Sequence, residues 1–193
     1  VGPGIGTSDK SHQLLDLVTL YIETPVVFDA DAINLAAEYY NTFPLMREKS
    51  CVRINELSSS LPAGSIVTPH LKELARLLDW ETSHIQDNLL QAANTCAHDS
   101  DLVFVIKDAR TIITHGEQRY VNTSGNNGMA TGGTGDVLTG IIVGLLAQGV
   151  EPFEAAKLGV YIHGLAGDYV AKQKSKYSLI ATDLIEALGE ILR

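Results

Sequence analysis

Gly132, Gly133, Thr134, Gly135 and Asp136 stand together in the stretch GMATGGTGDVLTG, residues 128–140, where five of thirteen residues are glycine and one is an acid. An apolar run follows at once (Val137, Leu138, Ile141, Ile142, Leu145, Leu146), so the glycines read as the lead into a helix. The first four amides of a helix have no intrahelical acceptor and carry, in effect, roughly half a positive charge. An anion placed there is bound by backbone alone. Glycines let that backbone come close and take positive φ. The chemistry on offer is phosphate binding at 132–135, with Asp136 near enough to reach an attacking hydroxyl. A blander reading is an ordinary glycine turn with an acid that stabilises the helix by about 0.3–1 kcal/mol. The spacing is neither GxxxxGK[ST] nor a GxGxxG after a first strand. A helix apolar all round is expected to be buried, which would hold its start rigidly.

Other polar candidates sit where strands should end. PVVFDAD (25–31), GSIVTPH (64–70) and LVFVIKD (102–108) are short apolar runs that finish in polar residues, as buried parallel strands do. Lys107 closes the third, at the strand end where ligands of open α/β sheets gather; a plain surface lysine is the alternative. His70 follows the second, and its alternative is a helix-start or core role. Asp29 and Asp31 could position water or magnesium, or satisfy buried turn amides, and the structural role is preferred. His12, His84, His98, His115 and His163 show no metal spacing.

The elements that must position these groups alternate. Helices are expected over 11–23 (Ser11 as N-cap), 31–40, 71–80, 84–98, 135–148, about 152–173 and 179–192, and residues 41–62 read as loop-rich. RTIITHG and EQRYVNT (110–123) read as strands joined at His115-Gly116. The pattern is α/β with a mostly parallel sheet. The 193 residues suffice for one domain, residues 1–193, with a sizeable core. A net charge of −9 gives little support to a nucleic-acid partner. Cys51 and Cys96 are isolated, which argues against structural zinc or a disulfide framework and suits the cytoplasm. The apolar stretch around 137–150 is broken by Thr139, Gly140, Gly144, Gln148 and Gly149 and is too short to span a bilayer.

The block from Lys107 to Gly149, with VGPGIG (1–6), PVVFDADAINL (25–35) and TPHLKELARLL (68–78) in the same order, resembles the ADP- or ATP-dependent NAD(P)H-hydrate dehydratases. NGMATGGTGDVLTG carries most of the specificity. The chain departs from the family's usual TPHPGE, Lys-Gly-Ala and Gly-Asn-Pro-Gly at TPHLKE, Lys107-Asp108-Ala109 and Gly125-Asn126-Asn127-Gly128. The resemblance implies a ribokinase-like three-layer α/β/α fold. Family members carry further strands and helices ahead of VGPGIG, so the chain corresponds to the C-terminal portion of the family domain, and an apolar sheet edge or face is expected to lie exposed.

By the same resemblance the substrate is hydrated NADH or NADPH, with a hydroxyl at C6 of the nicotinamide ring. The hydroxyl is phosphorylated by ADP or ATP with Mg2+, and phosphate then leaves with help from the ring nitrogen's lone pair. Asp136 is implied as the base and as a substrate contact. Lys107, Asp108, Ala109, Arg110, Thr111, Gly132, Gly133, Thr134 and Gly135 are implied for the nucleotide, and Gly4, Gly6 and His70 for the hydrated cofactor. Asn126 and Gly128 are expected to shape the loop. No residue is assigned as a metal ligand, since magnesium is expected to be held by phosphates and water. A homo-oligomer is also implied. Two other readings stay open: a small-molecule kinase of the same superfamily, and a nucleotide-binding module without catalysis.

Overall fold

The computed structural model describes residues 1–42 and 50–193. The chain divides into two compact units, Val1–Asp108 with Ile112–Tyr120, and Ala109–Thr111 with Val121–Arg193.

The first unit alternates helices and short strands: α1 Asp9–Tyr21, β1 Val27–Phe28, α2 Asp31–Asn41, α3 Ser50–Ser60, β2 Ile66–Val67, α4 Leu71–Leu78, α5 Thr82–Asp87, α6 Leu89–Ala97, β3 Val103–Ile106, β4 Ile112–His115 and β5 Gln118–Val121, whose last residue falls in the second unit. The sheet order is β1-β2-β3-β4-β5. Val27 pairs with Ile66 and Val67 with Phe104 in parallel, whereas Val105 faces Ile113 antiparallel. The sheet is therefore mixed, parallel through β3 and reversed at β4; Gly116, at φ +50°, lies in the turn between β4 and β5. The apolar residues of β1, β2 and β3 are buried on both faces, as parallel strands covered by helices must be. Leu74, Leu77 and Leu78 of α4 join Phe28, Val67, Phe104 and Ile106 in one core.

Several local expectations change. Ser11 is not the cap of α1: Ser8 is, accepting the Ser11 amide, while the Ser11 hydroxyl donates to the carbonyl of Ile5 at 2.7 Å. The stretch expected to be loop-rich contains α3, while 43–49 lie outside the described residues. Arg53 is fully buried on the inner face of α3 and donates to Asn41 Oδ1 at 2.9 Å and to the carbonyl of Arg76 at 3.2 Å. The helix expected over 84–98 is two, because Asn88 leaves helical geometry at φ −131°, ψ 41°. Cys51 is exposed at the start of α3; Cys96 is buried in α6, and that burial pushes its thiol pKa up. Leu14, Leu17, Leu20 and Tyr21 lie exposed along α1.

The second unit is built on α7 Thr134–Ala147, α8 Pro152–Gln173 and α9 Ala181–Ile191, preceded by a 3-10 turn at Asn127–Met129. Its core gathers Ala166, Val170, Leu179, Leu184 and Ala187. Glu151 caps α8 by accepting the amides of Phe153 and Glu154. Asp183 ties the start of α9 to Lys174 and to the Ile180 amide; these hydrogen bonds, the one to Lys174 first, hold its carboxyl below the usual range. One expectation fails here too. α7 buries Leu138, Thr139 and Ile142, but Gly140, Val143, Gly144 and Ala147 are exposed, so its apolar composition does not mean burial on every side. Among the described residues no helix is long and apolar enough to cross a membrane.

Candidate functional site

In the first unit the sequence candidates converge on the carboxyl ends of β1, β2 and β3. Residues 1–6 form the turn beside them. Gly4 and Gly6 take φ +72° and +70°, which favours glycine, and a Cβ on either would point into open space. Gly2 is held from the other side: its Cβ would stand 1.7 Å from the carbonyl oxygen of Asp29. The Gly6 amide donates to Asp31 Oδ2 at 2.9 Å, so Asp31 fixes the turn, in the structural role preferred for it.

Asp29 and Lys107 form the second feature. Lys107 Nζ donates to Asp29 Oδ1 at 2.8 Å, and the Asp29 side chain is almost fully buried. Lys107 is thus neither a plain surface lysine nor a loose cation. It extends the sheet as well, through a parallel bridge between His70 and Lys107 in which the Lys107 amide donates a hydrogen bond to the carbonyl of Pro69 at 2.8 Å. Removing the lysine takes one partner from a buried carboxylate. Because Lys107 is partly exposed, Lys107→Met is expected to destabilise the chain by about 2 kcal/mol, less than for a fully buried pair. Chemical denaturation monitored by circular dichroism checks this, separately from any effect on nucleotide binding.

His70 begins α4. Its Nδ1 accepts the amides of Lys72 and Glu73, both at 3.1 Å, and Glu73 Oε2 accepts the His70 amide at 2.8 Å. This is a reciprocal capping box with histidine in the place of serine or threonine. Glu73 escaped the sequence reading, although its position three residues after a cap and before an apolar helix is the signal that finds it. Asp108 follows Lys107 and is exposed.

In the second unit the glycine loop meets its helix as the composition implies. Gly133 is the N-cap of α7 at φ +86°, ψ −11°, and has no side chain with which to cap. The amides at the start of α7 therefore receive no side-chain acceptor from it. Thr134 turns its hydroxyl inward, to the carbonyls of Met129 and Thr131, both at 2.9 Å. Only its backbone is left for a ligand. Gly132 is exposed with open space where a Cβ would be, and Gly135 is half-buried. Asp136 is exposed in the first turn. Ala109 and Arg110 are exposed, Thr111 is half-buried, and the Thr111 carbonyl accepts the Asn122 amide at 2.9 Å.

Asp168 of α8 is the residue missed here. It accepts the Gly125 amide and the Asn126 side chain, both at 2.9 Å, and Asn126 in turn accepts the Gly128 amide at 3.0 Å. A Cβ at Gly128 would meet the carbonyl oxygen of Lys176 at 2.5 Å. Asn126 and Gly128 thus shape the loop, as expected of them. No spacing in the sequence connects Asp168 to residues some forty positions earlier.

The first unit's parallel strands covered by helices make this an α/β protein, and its solved relatives are ribokinase-like. A ribokinase-like superfamily protein of Enterococcus faecalis is similar at 33% identity and TM-score 0.80, over all of this chain and 61% of that one. The chain belongs to the NAD(P)H-hydrate dehydratase family, whose model matches residues 1–190. The bifunctional NAD(P)H-hydrate repair enzyme Nnr of Moorella thermoacetica is 38% identical over the whole chain, which spans 34% of that protein. The ADP-dependent (S)-NAD(P)H-hydrate dehydratase of Neisseria meningitidis is 38% identical over 88% of the chain and 54% of its own length. The ADP/ATP-dependent NAD(P)H-hydrate dehydratase of Bacillus subtilis, co-crystallised with ATP and Mg2+, is similar at 27% identity and TM-score 0.80, over all of this chain and 62% of that one. The chain thus spans less than two thirds of each of these relatives.

Proposed function

We propose that the chain carries the ADP- or ATP-dependent dehydration of hydrated NADH or NADPH. The observation that carries this reading is the exposed Asp136 carboxylate in the first turn of a helix whose N-cap, Gly133, leaves the neighbouring amides open. Phosphoryl transfer asks a protein for position and charge neutralisation more than for covalent help. The amides at 132–135 supply both to the transferring oxygens. Asp136 receives the proton of the C6 hydroxyl as that oxygen takes the phosphoryl group. Phosphate then leaves as the ring nitrogen's electrons restore the double bond.

In this reading Ala109, Arg110, Thr111 and Gly132 to Gly135 of the second unit serve the nucleotide. Gly4, Gly6 and His70 serve the hydrated cofactor. Among the described residues no group of three or more His, Cys, Asp or Glu is arranged to hold a metal. Lys107 pairs with Asp29 and lies 3.9 Å from Glu73. In this reading magnesium accompanies the nucleotide, held by its phosphates and water.

The test is incubation of the full chain with hydrated NADH, Mg2+ and either ADP or ATP, following the return of reduced-nicotinamide absorbance. Recovery that requires the nucleotide supports the reading. A thermal shift with ADP but no recovery sinks it in favour of a binding module.

A further inference from the structure

Both oxygens of the half-buried Asp168 are taken by N–H groups of the glycine loop. Oδ2 accepts the Gly125 amide and Oδ1 accepts Asn126 Nδ2, both at 2.9 Å. Asn126 Oδ1 accepts the Gly128 amide at 3.0 Å. Four groups thus stand in a row: amide, carboxylate, carboxamide, amide. The backbone amides at the two ends can only donate, so each side-chain atom facing them must be an oxygen. The two side chains then meet in the middle as N–H and oxygen only if one is an acid and the other an amide.

α8 is shaped to receive this row. Gly164, Gly167 and Asp168 share one of its faces at helical spacing. A Cβ at Gly164 would stand 2.1 Å from Ser124 Oγ, and one at Gly167 2.2 Å from Met129 Sδ. The loop therefore lies directly on the helix. Its other end is tied to α7. The Met129 amide donates to the carbonyl of Asn126 at 3.1 Å, and the carbonyls of Met129 and Thr131 both accept the Thr134 hydroxyl at 2.9 Å.

We propose that Asp168 is a positioning residue for the nucleotide. Paired with Asn126, it fixes the loop from Gly125 to Thr131, so that the open amides at 132–135 are aimed before a phosphate arrives. It acts through the loop and not by contact with the phosphate. The identity of the ligand rests on the function proposed above, whereas the pairing of acid with amide does not.

The test exchanges the two side chains. Asp168→Asn sets two carboxamides against each other, and Asn126→Asp sets two carboxylates. The double variant Asn126→Asp/Asp168→Asn restores the pair in reverse order. Each single variant of the full chain should raise the Kd for ADP by about ten-fold, the loss of one hydrogen bond. KM for hydrated NADH at saturating ADP should stay unchanged. The double variant should return the Kd to within about three-fold of wild type, a coupling that independent sites do not show. A lowered unfolding temperature with unchanged Kd makes the role purely structural and overturns the proposal. So does a double variant no better than the singles, or a comparable rise in KM for hydrated NADH. Amide hydrogen exchange needs no ligand. Both single variants should speed exchange at 132–135, and the double variant should restore it; unchanged exchange there also overturns the proposal. If the wild-type chain does not bind ADP, the proposed function falls, and exchange at 132–135 alone then decides the positioning role.

Discussion

Asp136→Asn is expected to lower the recovery of NADH from its hydrate by about 10²–10⁴-fold, the range that a positioned general base supplies. The substitution preserves size and leaves the backbone of α7 intact, so the open amides at its start are unchanged. Nucleotide affinity, measured by calorimetry with ADP, should stay within a few-fold. The exposure of Asp136 makes the separation clean, since no buried partner loses its bond when the charge goes. Turnover near the wild-type rate would falsify the assignment of the base. Loss of both turnover and nucleotide binding would point instead to a disturbed helix start, which circular dichroism distinguishes.

The complementary result is expected from Gly133→Val. At φ +86° the residue lies where a β-branched side chain is a genuine outlier, and its Cβ would stand 3.1 Å from the Cβ of Ala181. The backbone must therefore change at the N-cap, and the amides that follow lose their aim. On the proposed function, charge-assisted hydrogen bonds worth about 1.5–3 kcal/mol each go with them. The nucleotide Kd should rise by at least about a hundred-fold. The measurement is ADP titration followed by calorimetry or thermal shift. A nucleotide affinity that survives this substitution places the phosphates elsewhere. Together the two variants separate chemistry from binding within four residues of one loop.

The glycine loop was legible because its information is conformational. Gly133 has positive φ and an open N-cap, and few sequences other than glycine-rich ones satisfy both. The strand ends were legible as apolar runs closed by Asp29, His70 and Lys107. α3 was not, because one of its inward positions is Arg53, a buried charge that breaks the apolar period a reader counts. The break at Asn88 was hidden because no proline or glycine marks it. The exposed flank of α7 was hidden for a different reason: composition shows that a helix is apolar, not which of its sides another element covers. In the site, the partners were harder than the principals. Glu73 could have been found from its capping spacing, whereas Asp168 acts across some forty residues and only the fold brings it to Gly125 and Asn126.

The two thiols have opposite fates. Only a thiolate reacts with an alkylating reagent, and only where the reagent can arrive. A maleimide dye should therefore attach to Cys51 alone while the fold is closed, whereas labelling of Cys96 marks the moment the interior around α6 opens to solvent. The native chain thus carries both a surface handle for fluorescence and an internal clock for unfolding, and neither has to be engineered into it.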